Sequence, residues 1–535
     1  MTAATFRFDN SYARDLHDFA VAWRPAAVPA PTLLFFNEPL AGELGLDVAA
    51  LSGDAGAALF AGNALPEGAE PIAQAYAGHQ FGGFSPQLGD GRALLLGEVI
   101  DRQGQRRDIA LKGSGRTPFS RGGDGKAAVG PMLREVLIGE AMHALGIPTT
   151  RALAVVATGE PVLREAGALP GAVLTRVAAS HIRVGTFQFF AARSDAARVR
   201  QLAEYTIARH YPELVDAPGR FLALLEQAAA RQAALIAQWM NVGFIHGVMN
   251  TDNMTLSGET IDYGPCAFVE AYDPAAVFSS IDSQGRYGYG NQPVIARWNL
   301  ARLAETLLPL IADDAERATA EALRVIDAFP GLYGRHLLSG QRAKLGLRPA
   351  DGDAVSDAAD SALAGDWLAL LQAGGVDFTL AWRRLADAVA GDEAPLRRLF
   401  GDVDAGPAGS AAPSAARSRD ASPAEPATPE SLDAWLVRWR ERCARDDALA
   451  AGDTGADDAG PARAGRMRLV NPRVIPRNHR VEEALAAASD DNDMRPFDHL
   501  LAAIRDPYEE TADHAAYAEP APAEVTACYR TFCGT

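Results

Sequence analysis

The chain has 535 residues, 48% of them hydrophobic, which is enough for a large core with additional domains. Its formal net charge of −18 disfavours a nucleic-acid-binding surface, because such a surface needs a broad basic face. No apolar run is as long as a membrane span, and the N-terminus lacks the basic start and hydrophobic stretch of a secretory signal. We therefore expect a cytoplasmic protein that binds neither nucleic acid nor a membrane.

The first candidate phosphate-binding feature is a glycine-containing turn. Residues 87–92, QLGDGR, precede the apolar run 93–96, so they predict a turn that leads into a strand. Gly89 and Gly91 would let backbone amides approach a phosphate, and Arg92 would add charged donors. A plain hairpin turn has the same pattern. The elements that follow favour the phosphate interpretation.

A strand ending in lysine comes next. Residues 108–112, DIALK, alternate polar and apolar side chains, which predicts a strand with Lys112 on the face opposite Ile109 and Leu111. The loop 113–126 is rich in glycine and basic residues, and this composition suits the binding of polyphosphate. A solvated strand-end lysine and a flexible surface loop are the structural alternatives.

An amphipathic helix is predicted over residues 131–145 and should end at Gly146. Glu135 lies in its first turns, where a carboxylate also favours the helix dipole. This position suits an ion pair with Lys112, as in the lysine and helix glutamate of protein kinases. Glu140 is the competing partner, and we prefer Glu135 because it is nearer the start of the helix.

The segment 246–264, HGVMNTDNMTLSGETIDYG, is similar to a kinase catalytic loop. The strand-like runs 254–256 and 260–262 are joined by Ser-Gly-Glu, which predicts a hairpin that would bring Asp262 back toward Asn253. One carboxylate and one amide oxygen suit Mg²⁺ bound to a nucleotide. Asn253 and Asp262 then take the places of the kinase catalytic-loop Asn and the Asp of Asp-Phe-Gly.

The same segment departs from kinases at one position. Protein kinases carry an Asp two residues after the His of this loop, and that Asp serves as the base. This chain has Val248 at the corresponding position, and valine cannot accept a proton. Asp252 is the nearest carboxylate that could substitute for it. The alternative is that Asp252 only caps the loop. His246 has no second His or Cys at ligand spacing, so we expect it to orient the loop by hydrogen bonding.

Helical patterns fill much of the remaining chain. A long helix is predicted over residues 220–241, and further helical patterns cover 298–328 and 361–400. The stretches 403–430 and 450–465 are rich in Ala, Gly, Pro and Ser, which is typical of flexible linkers.

Together these motifs resemble the selenoprotein O family, a kinase-like group of protein adenylyltransferases. The resemblance is carried by YAGHQFGGFSPQLGDGRALLLGE, LKGSGRTPFSRGGDGKA, EAMHALGIPTTRAL, HGVMNTDNM and IDYGP, and it spans the chain from about residue 71 to the C-terminus. It implies a flipped ATP, whose α-phosphorus faces the acceptor. AMP, rather than phosphate, would then be transferred to Ser, Thr or Tyr of protein substrates, with Mg²⁺ or Mn²⁺ as cofactor.

The resemblance also implies a set of site residues. Asp252 takes the place of the family's proton acceptor, and Asn253 and Asp262 take the places of its metal ligands. The implied nucleotide contacts are Gly89, Gly91, Arg92, Lys112, Asp124, Gly125, Arg176, Arg183 and Asp262. Arg176 and Arg183 come from the resemblance alone, since the residues around them would otherwise indicate surface arginines.

Cysteine spacing excludes a CxxC motif and a zinc pattern. Cys533 lies near the C-terminus, where the family places its selenocysteine and bacterial members carry Cys. An exposed tail thiol can exchange, so we expect a redox role for Cys533, with Cys266 as one of three permissible partners.

These observations predict an α+β, protein-kinase-like two-lobed fold. We assign residues 1–75 to an N-terminal extension, 76–178 to the N-lobe, 179–400 to the helical C-lobe, 401–430 to a linker and 431–535 to a helical C-terminal region. Protein adenylyl transfer is the leading function. The alternatives are phosphoryl transfer with Asp252 as the base and a non-catalytic nucleotide-binding regulator.

Overall fold

An antiparallel sheet and a large set of helices make up the protein, which agrees with the predicted α+β class. The structure is a computed structural model that describes residues 6–165, 167–348, 354–401, 430–450 and 459–532. In these ranges the strands are β1 Ala20–Ala22, β2 Thr32–Phe36, β3 Ile72–Gln74, β4 Gly78–Gln80, β5 Gly83–Ser85, β6 Ala93–Ile100, β7 Arg106–Lys112, β8 Ala127–Ala128, β9 Arg151–Arg164, β10 Gly167–Ala178, β11 Phe244–Ile245 and β12 Ala267–Phe268.

Helices occur throughout the described ranges of the chain. They are α1 Ser11–Asp15, α2 Glu38–Glu43, α3 Val48–Leu51, α4 Asp54–Phe60, α5 Val129–Ala144, α6 Val184–Ala191, α7 Ala196–His210, α8 Arg220–Val242, α9 Gln292–Ile311, α10 Ala315–Lys344, α11 Ala354–Gly374, α12 Phe378–Val389, α13 Ala394–Phe400, α14 Leu432–Ala450, α15 Ala459–Arg468, α16 Asn478–Asp490, α17 Arg495–Arg505, α18 Ala515–Ala518 and α19 Ala523–Cys528. In the described ranges no helix has the length and apolar character needed to cross a membrane.

The large sheet has the order β1-β3-β6-β7-β10-β9-β2, and β8 pairs with β10. Three of its strands, including both edges, precede residue 75, so the predicted N-terminal extension contributes directly to the sheet. Strands β4 and β5 form a separate hairpin, and β11 pairs with β12.

The two faces of β7 have the predicted alternation. Ile109 and Leu111 lie in the core that covers one face of the sheet together with α2 and α4. Ala110 lies in the core on the other face, and Lys112 contacts Glu135 of α5 on that side. The strand pattern therefore places Lys112 as predicted.

Helix boundaries agree with the sequence prediction at two important places. Helix α5 begins two residues before the predicted start, and α8 ends at Gly243, which has a left-handed φ of +75°. The helical pattern predicted over 298–328 is confirmed, and it is divided between α9 and α10. Ala312 is extended, and the Asp314 side chain caps α10 by accepting a hydrogen bond from the Arg317 amide.

The C-terminal helices α16 and α17 pack on α5. Glu482 of α16 pairs with Arg134, and Arg505 of α17 lies 2.8 Å from Glu140. A second core, built around four tryptophans, joins α11, α12 and α14. The predicted linker 401–430 falls almost entirely outside the described residues. The second predicted linker is wrong at its end, since α15 begins at residue 459.

Candidate functional site

A cleft of about 780 Å³ lies between the sheet, the glycine-rich loop and the segment around residue 250. It brings together residues that are far apart in the sequence. All the predicted nucleotide, metal and proton-acceptor positions line it: Gly89, Gly91, Arg92, Lys112, Asp124, Gly125, Arg176, Arg183, Asp252, Asn253 and Asp262.

A cluster of five charged side chains forms the inner end of this cleft. Lys112 contacts Glu135, and its Nζ lies 2.7 Å from Asp262 Oδ1. Arg176 Nη2 lies 2.6 Å from Glu135 Oε2 and 2.6 Å from Asp262 Oδ1. Arg183 Nη2 is 3.9 Å from Asp262 Oδ2. Within this cluster three cations face two carboxylates, and the buried Asp90 carboxylate, which lines the same cleft, offsets part of the remaining positive charge at Arg183.

The cluster keeps its carboxylates ionised. Burial alone would raise the pKa of Asp262, but Arg176, Lys112 and Arg183 hold that pKa well below its usual value. Burial opposes ionisation of Glu135 in the same way, and Arg176 and Lys112 lower its pKa. Asp262 also has a left-handed φ of +64°, a conformation that is costly for a residue other than glycine.

Glu140, the competing partner for Lys112, lies elsewhere. Its Oε1 accepts a hydrogen bond from Arg151 Nε at 2.6 Å, and its Oε2 lies 2.8 Å from Arg505 Nη2. The geometry therefore pairs Lys112 with Glu135 and leaves Glu140 to tie α5 to β9 and α17.

The catalytic-loop segment is held by His246. Its Nε2 lies 2.8 Å from the Ile261 carbonyl, so this nitrogen is the donor, and Nδ1 accepts from the Val248 amide at 3.4 Å. Burial lowers the pKa of His246, which favours this neutral tautomer. His246 thus orients the loop by hydrogen bonding, as the absence of a second metal ligand at suitable spacing predicts.

The hairpin predicted between residues 254 and 262 is wrong. Thr255 bridges to Arg183 and Thr260 bridges to Thr149, so each run pairs with an outer segment instead of with the other. The turn between them is closed by the Thr255 side chain, whose Oγ1 donates to the Glu259 carbonyl at 2.7 Å. Hydroxyl bonding to the local backbone thus replaces strand pairing.

Asp252 lies beside the metal candidates and is almost completely buried. Its Oδ2 accepts a hydrogen bond from Gln80 Nε2 at 3.3 Å, while its Oδ1 has no hydrogen-bond partner among the described residues. Burial raises the pKa of Asp252 to about 6, although Arg183 opposes the rise. Asp252 lines the cleft, and a carboxylate whose pKa lies near neutrality is suited to take a proton from a substrate.

Asn253 and Asp262 have the donor atoms that a hard divalent cation requires. Asn253 Nδ2 donates to the Val248 carbonyl at 2.9 Å, which leaves the amide oxygen for a cation. Among the described residues no group of three or more His, Cys, Asp or Glu side chains could hold a metal ion. Mg²⁺ often takes only one or two protein ligands and completes its shell with phosphate and water, so the residues present fit such an ion.

The glycine-rich loop is anchored at Asp124. Arg164 Nη1 lies 2.8 Å from Asp124 Oδ2, and the Lys126 amide donates to Asp124 Oδ1 at 2.9 Å. Next to it, Gly125 has a φ of +69°, and a Cβ at this position would lie 2.1 Å from the Gly115 carbonyl oxygen. Only glycine allows this close approach of the two ends of the loop.

Comparisons with known proteins show the family of the chain. The model of the family described as protein adenylyltransferase SelO matches residues 2–505. The chain belongs to the SelO family.

Relatives named protein nucleotidyltransferase YdiU match nearly the whole chain. The Cereibacter sphaeroides protein is 61% identical over 531 residues, which cover 99% of this chain and 100% of the relative. The Chromobacterium violaceum protein is 58% identical over 96% of this chain and 99% of the relative, and that of Rhizobium etli is 57% identical over 100% and 98%. This SelO-family chain is therefore an enzyme of the nucleotidyltransferase class.

Sequence motifs do not indicate two of the arginines that line the cleft of this SelO-family chain. Arg176 and Arg183 are both buried, although isolated arginines usually indicate surface positions. Arg176 pairs with Ala110 across β7 and β10, which places it two residues from the Lys112 register and on the same face of the sheet. Every residue from 171 to 178 of β10 is buried, so alternation gave no signal for Arg176. Arg183 stacks on Tyr76 at 4.5 Å, a contact that the sequence did not indicate.

Of the predicted redox pair, Cys266 lies within the described residues and Cys533 lies outside them. Cys266 is fully buried, and burial raises the pKa of its thiol to about 12, which disfavours the reactive thiolate. The tail does approach this region, because Thr531 Oγ1 donates to the Pro265 carbonyl at 2.7 Å. A redox role for Cys533 and Cys266 stays a prediction.

Proposed function

We propose that this enzyme transfers AMP from ATP to serine, threonine or tyrosine hydroxyls of other proteins and releases pyrophosphate. The family description and the names of the relatives support a protein acceptor. The observation that carries the proposal is the position of Asp252, a carboxylate that lines the same cleft as the three buried cations.

The order of elements around the cleft supports a kinase-like fold. Residues 76–178 supply a glycine-containing turn, a lysine strand and a glutamate helix, and residues 179–400 supply the Asn253 and Asp262 positions. We therefore assign these two ranges to the two lobes of a kinase-like fold, with the cleft between them.

The charge distribution favours a reversed nucleotide. Lys112, Arg176 and Arg183 are buried at the inner end of the cleft, where they would meet phosphates more favourably than an uncharged purine. The position of the kinase base is Val248, which lines the cleft but cannot accept a proton. Both features favour attack at the α-phosphorus rather than the γ-phosphorus.

The proposed step balances without a further reactant. The acceptor oxygen attacks the α-phosphorus, Asp252 takes the hydroxyl proton, and the bond from the α-phosphorus to the bridging oxygen breaks to release pyrophosphate. Lys112, Arg176 and Arg183 stabilise the charge that develops on the phosphate oxygens. Mg²⁺ or Mn²⁺ held by Asn253 and Asp262 would neutralise phosphate charge in this step.

Isotope position tests the proposal directly. The full-length chain is incubated with Mg²⁺, a mixture of soluble bacterial proteins, and ATP labelled at either the α- or the γ-phosphate. Protein should acquire the α label and not the γ label. Transfer of γ label alone would favour the phosphotransferase alternative, with Asp252 still as the base.

A matched pair of variants tests the base. Asp252→Asn keeps the side-chain shape and should lower α-label transfer by about a hundredfold or more, while nucleotide binding persists. Asp101→Asn, which removes a carboxylate that pairs with Arg107 outside the cleft, should transfer label normally. Equal activities of the two variants would remove Asp252 from the mechanism.

A further inference from the structure

The β4–β5 hairpin, residues 78–85, packs directly on the segment that carries Asp252. The His79 amide donates to Thr251 Oγ1 at 2.7 Å, and Gln80 Nε2 donates to Asp252 Oδ2 at 3.3 Å. A Cβ at Gly78 would lie 2.4 Å from Asp252 Oδ1, so glycine is required for this close approach. The hairpin is thus built against the proposed proton acceptor.

The turn of this hairpin is held in an unfavourable conformation. Phe81 has a left-handed φ of +51°, which is rare for a bulky residue. Its amide is fixed by two acceptors, Asn250 Oδ1 at 3.2 Å and Tyr287 OH at 3.0 Å, and Tyr287 OH lies 2.6 Å from the same Asn250 oxygen. Strain that the surrounding contacts maintain is commonly found at functional sites.

The result of this strain is an aromatic ring at the mouth of the cleft. Phe81 is 40% exposed, and its ring centroid lies 5.1 Å from that of Tyr287. Ile281, which is 51% exposed, lines the same cleft. The glycine-rich loop on the other side of the cleft carries exposed basic residues instead. Leu163, which is 75% exposed, is a further apolar residue of the cleft and adjoins Arg164, which pairs with Asp124 of the glycine-rich loop. Phe81 and Ile281 lie on the Asp252 side, because Gln80 contacts Asp252 and the Asp282 carboxylate next to Ile281 accepts a hydrogen bond from the Tyr287 amide.

We propose that Phe81 and Ile281 form an apolar seat for a side chain next to the acceptor hydroxyl of the protein substrate. This inference rests on the proposed function, because the acceptor must reach Asp252. An extended substrate segment that presents its hydroxyl to Asp252 would pass the hairpin turn, and burial of an apolar neighbour on the two exposed side chains would favour its binding. The seat determines specificity and does not take part in the chemical step.

Synthetic peptides test this preference. Each peptide carries one serine, threonine or tyrosine in a polar frame, flanked on both sides by either leucine or asparagine, and AMP transfer is followed with α-labelled ATP. The wild-type enzyme should have a kcat/KM about tenfold or more higher for the leucine peptides. Absence of this preference, or absence of peptide labelling while proteins acquire the α label, would overturn the inference.

Variants separate the seat from the fold. Phe81→Gly suits the left-handed conformation and removes the ring, and Ile281→Ser removes the second apolar contact without touching the hairpin. Each should lose most of the leucine preference while its affinity for ATP stays unchanged. Phe84→Ser is the matched control, because Phe84 is also exposed on the hairpin but packs on the His79 ring at 4.8 Å; it should keep the preference.

The outcomes distinguish failure of the apolar seat from failure of the proposed function. Retention of the leucine preference in both Phe81→Gly and Ile281→Ser would overturn the seat and leave adenylyl transfer intact. Transfer of the γ label in place of the α label would instead overturn the proposed function, and the seat with it.

Discussion

Lys112 and Arg176 share one carboxylate oxygen, Asp262 Oδ1, which lies 2.7 Å from Lys112 Nζ and 2.6 Å from Arg176 Nη2. The same two cations also share the carboxylate of Glu135. If Asp262 binds a divalent ion as proposed, both donors would lose part of their interaction with it and become available to phosphate. Nucleotide and metal binding should therefore be mutually dependent at this cluster.

Replacing Asp262 by alanine should abolish AMP transfer and metal-dependent nucleotide binding. The substitution removes one of the two proposed protein ligands of the ion and leaves Lys112 and Arg176 with Glu135 alone. Calorimetric titration with ATP in the presence and absence of Mg²⁺ measures the effect, and circular dichroism checks that the variant is folded. Near-normal activity would contradict the site assignment.

Replacing Glu135 by glutamine should lower transfer at least about tenfold, equivalent to about 1.4 kcal/mol of transition-state stabilisation. The neutral side chain keeps its shape but no longer holds Lys112 and Arg176 in place by charge. Steady-state rates with α-labelled ATP measure the loss.

Glu140→Gln is the matched control for this change, since Glu140 is equally buried on the same helix but pairs with Arg151 and Arg505. It should lower the melting temperature while the rate per folded molecule is retained. If Glu140→Gln loses activity and Glu135→Gln does not, the charge-pair assignment is wrong.

Local patterns predicted the positions of Lys112 and Glu135. Alternation in β7 gave the face of Lys112, and the apolar stripe of α5 gave the position of Glu135. The inner arginines depend on long-range pairing, because Arg176 reaches the cluster through its register with β7. The contact between Gln80 and Asp252 joins residues 172 positions apart. No local pattern encodes such contacts.

Replacing Gly125 by alanine should weaken ATP binding about tenfold or more, or about 1.4 kcal/mol. The added Cβ would lie 2.1 Å from the Gly115 carbonyl oxygen, so the two ends of the glycine-rich loop would have to separate. Titration with ATP and Mg²⁺ measures the affinity.

Gly122→Ala isolates the steric part of this effect. Gly122 also has a left-handed φ, of +91°, but a Cβ there would meet no atom within 4 Å. The Gly122→Ala variant should therefore lose only the free energy needed to hold a residue other than glycine in this backbone conformation, about 1–2 kcal/mol. Equal losses of ATP affinity in the two variants would mean that backbone conformation, rather than close approach of the loop ends, explains the result.

Replacing Lys344 by methionine should stabilise the protein more at pH 7 than at pH 10. Burial lowers the pKa of Lys344 from 10.5 to about 7, although the rings of Trp382 and Phe378, 5.1 and 5.9 Å from Nζ, favour the charged form. Between about pH 7 and 10.5 the unfolded chain holds a proton that the folded chain has lost. The stability of the wild type should therefore rise with pH across this window, at about 1.4 kcal/mol for each unit of pKa shift.

Thermal unfolding of wild type and Lys344→Met at pH 7 and pH 10 measures this difference, because other groups titrate equally in both proteins. The wild type carries the full cost of burying the lysine only when the folded side chain is charged, so the advantage of methionine should shrink as pH rises. Lys126→Met, at a partly exposed lysine that pairs with Glu160, controls for loss of a lysine charge. A stability difference between Lys344→Met and wild type that is the same at both pH values would show that Lys344 stays protonated in the folded protein.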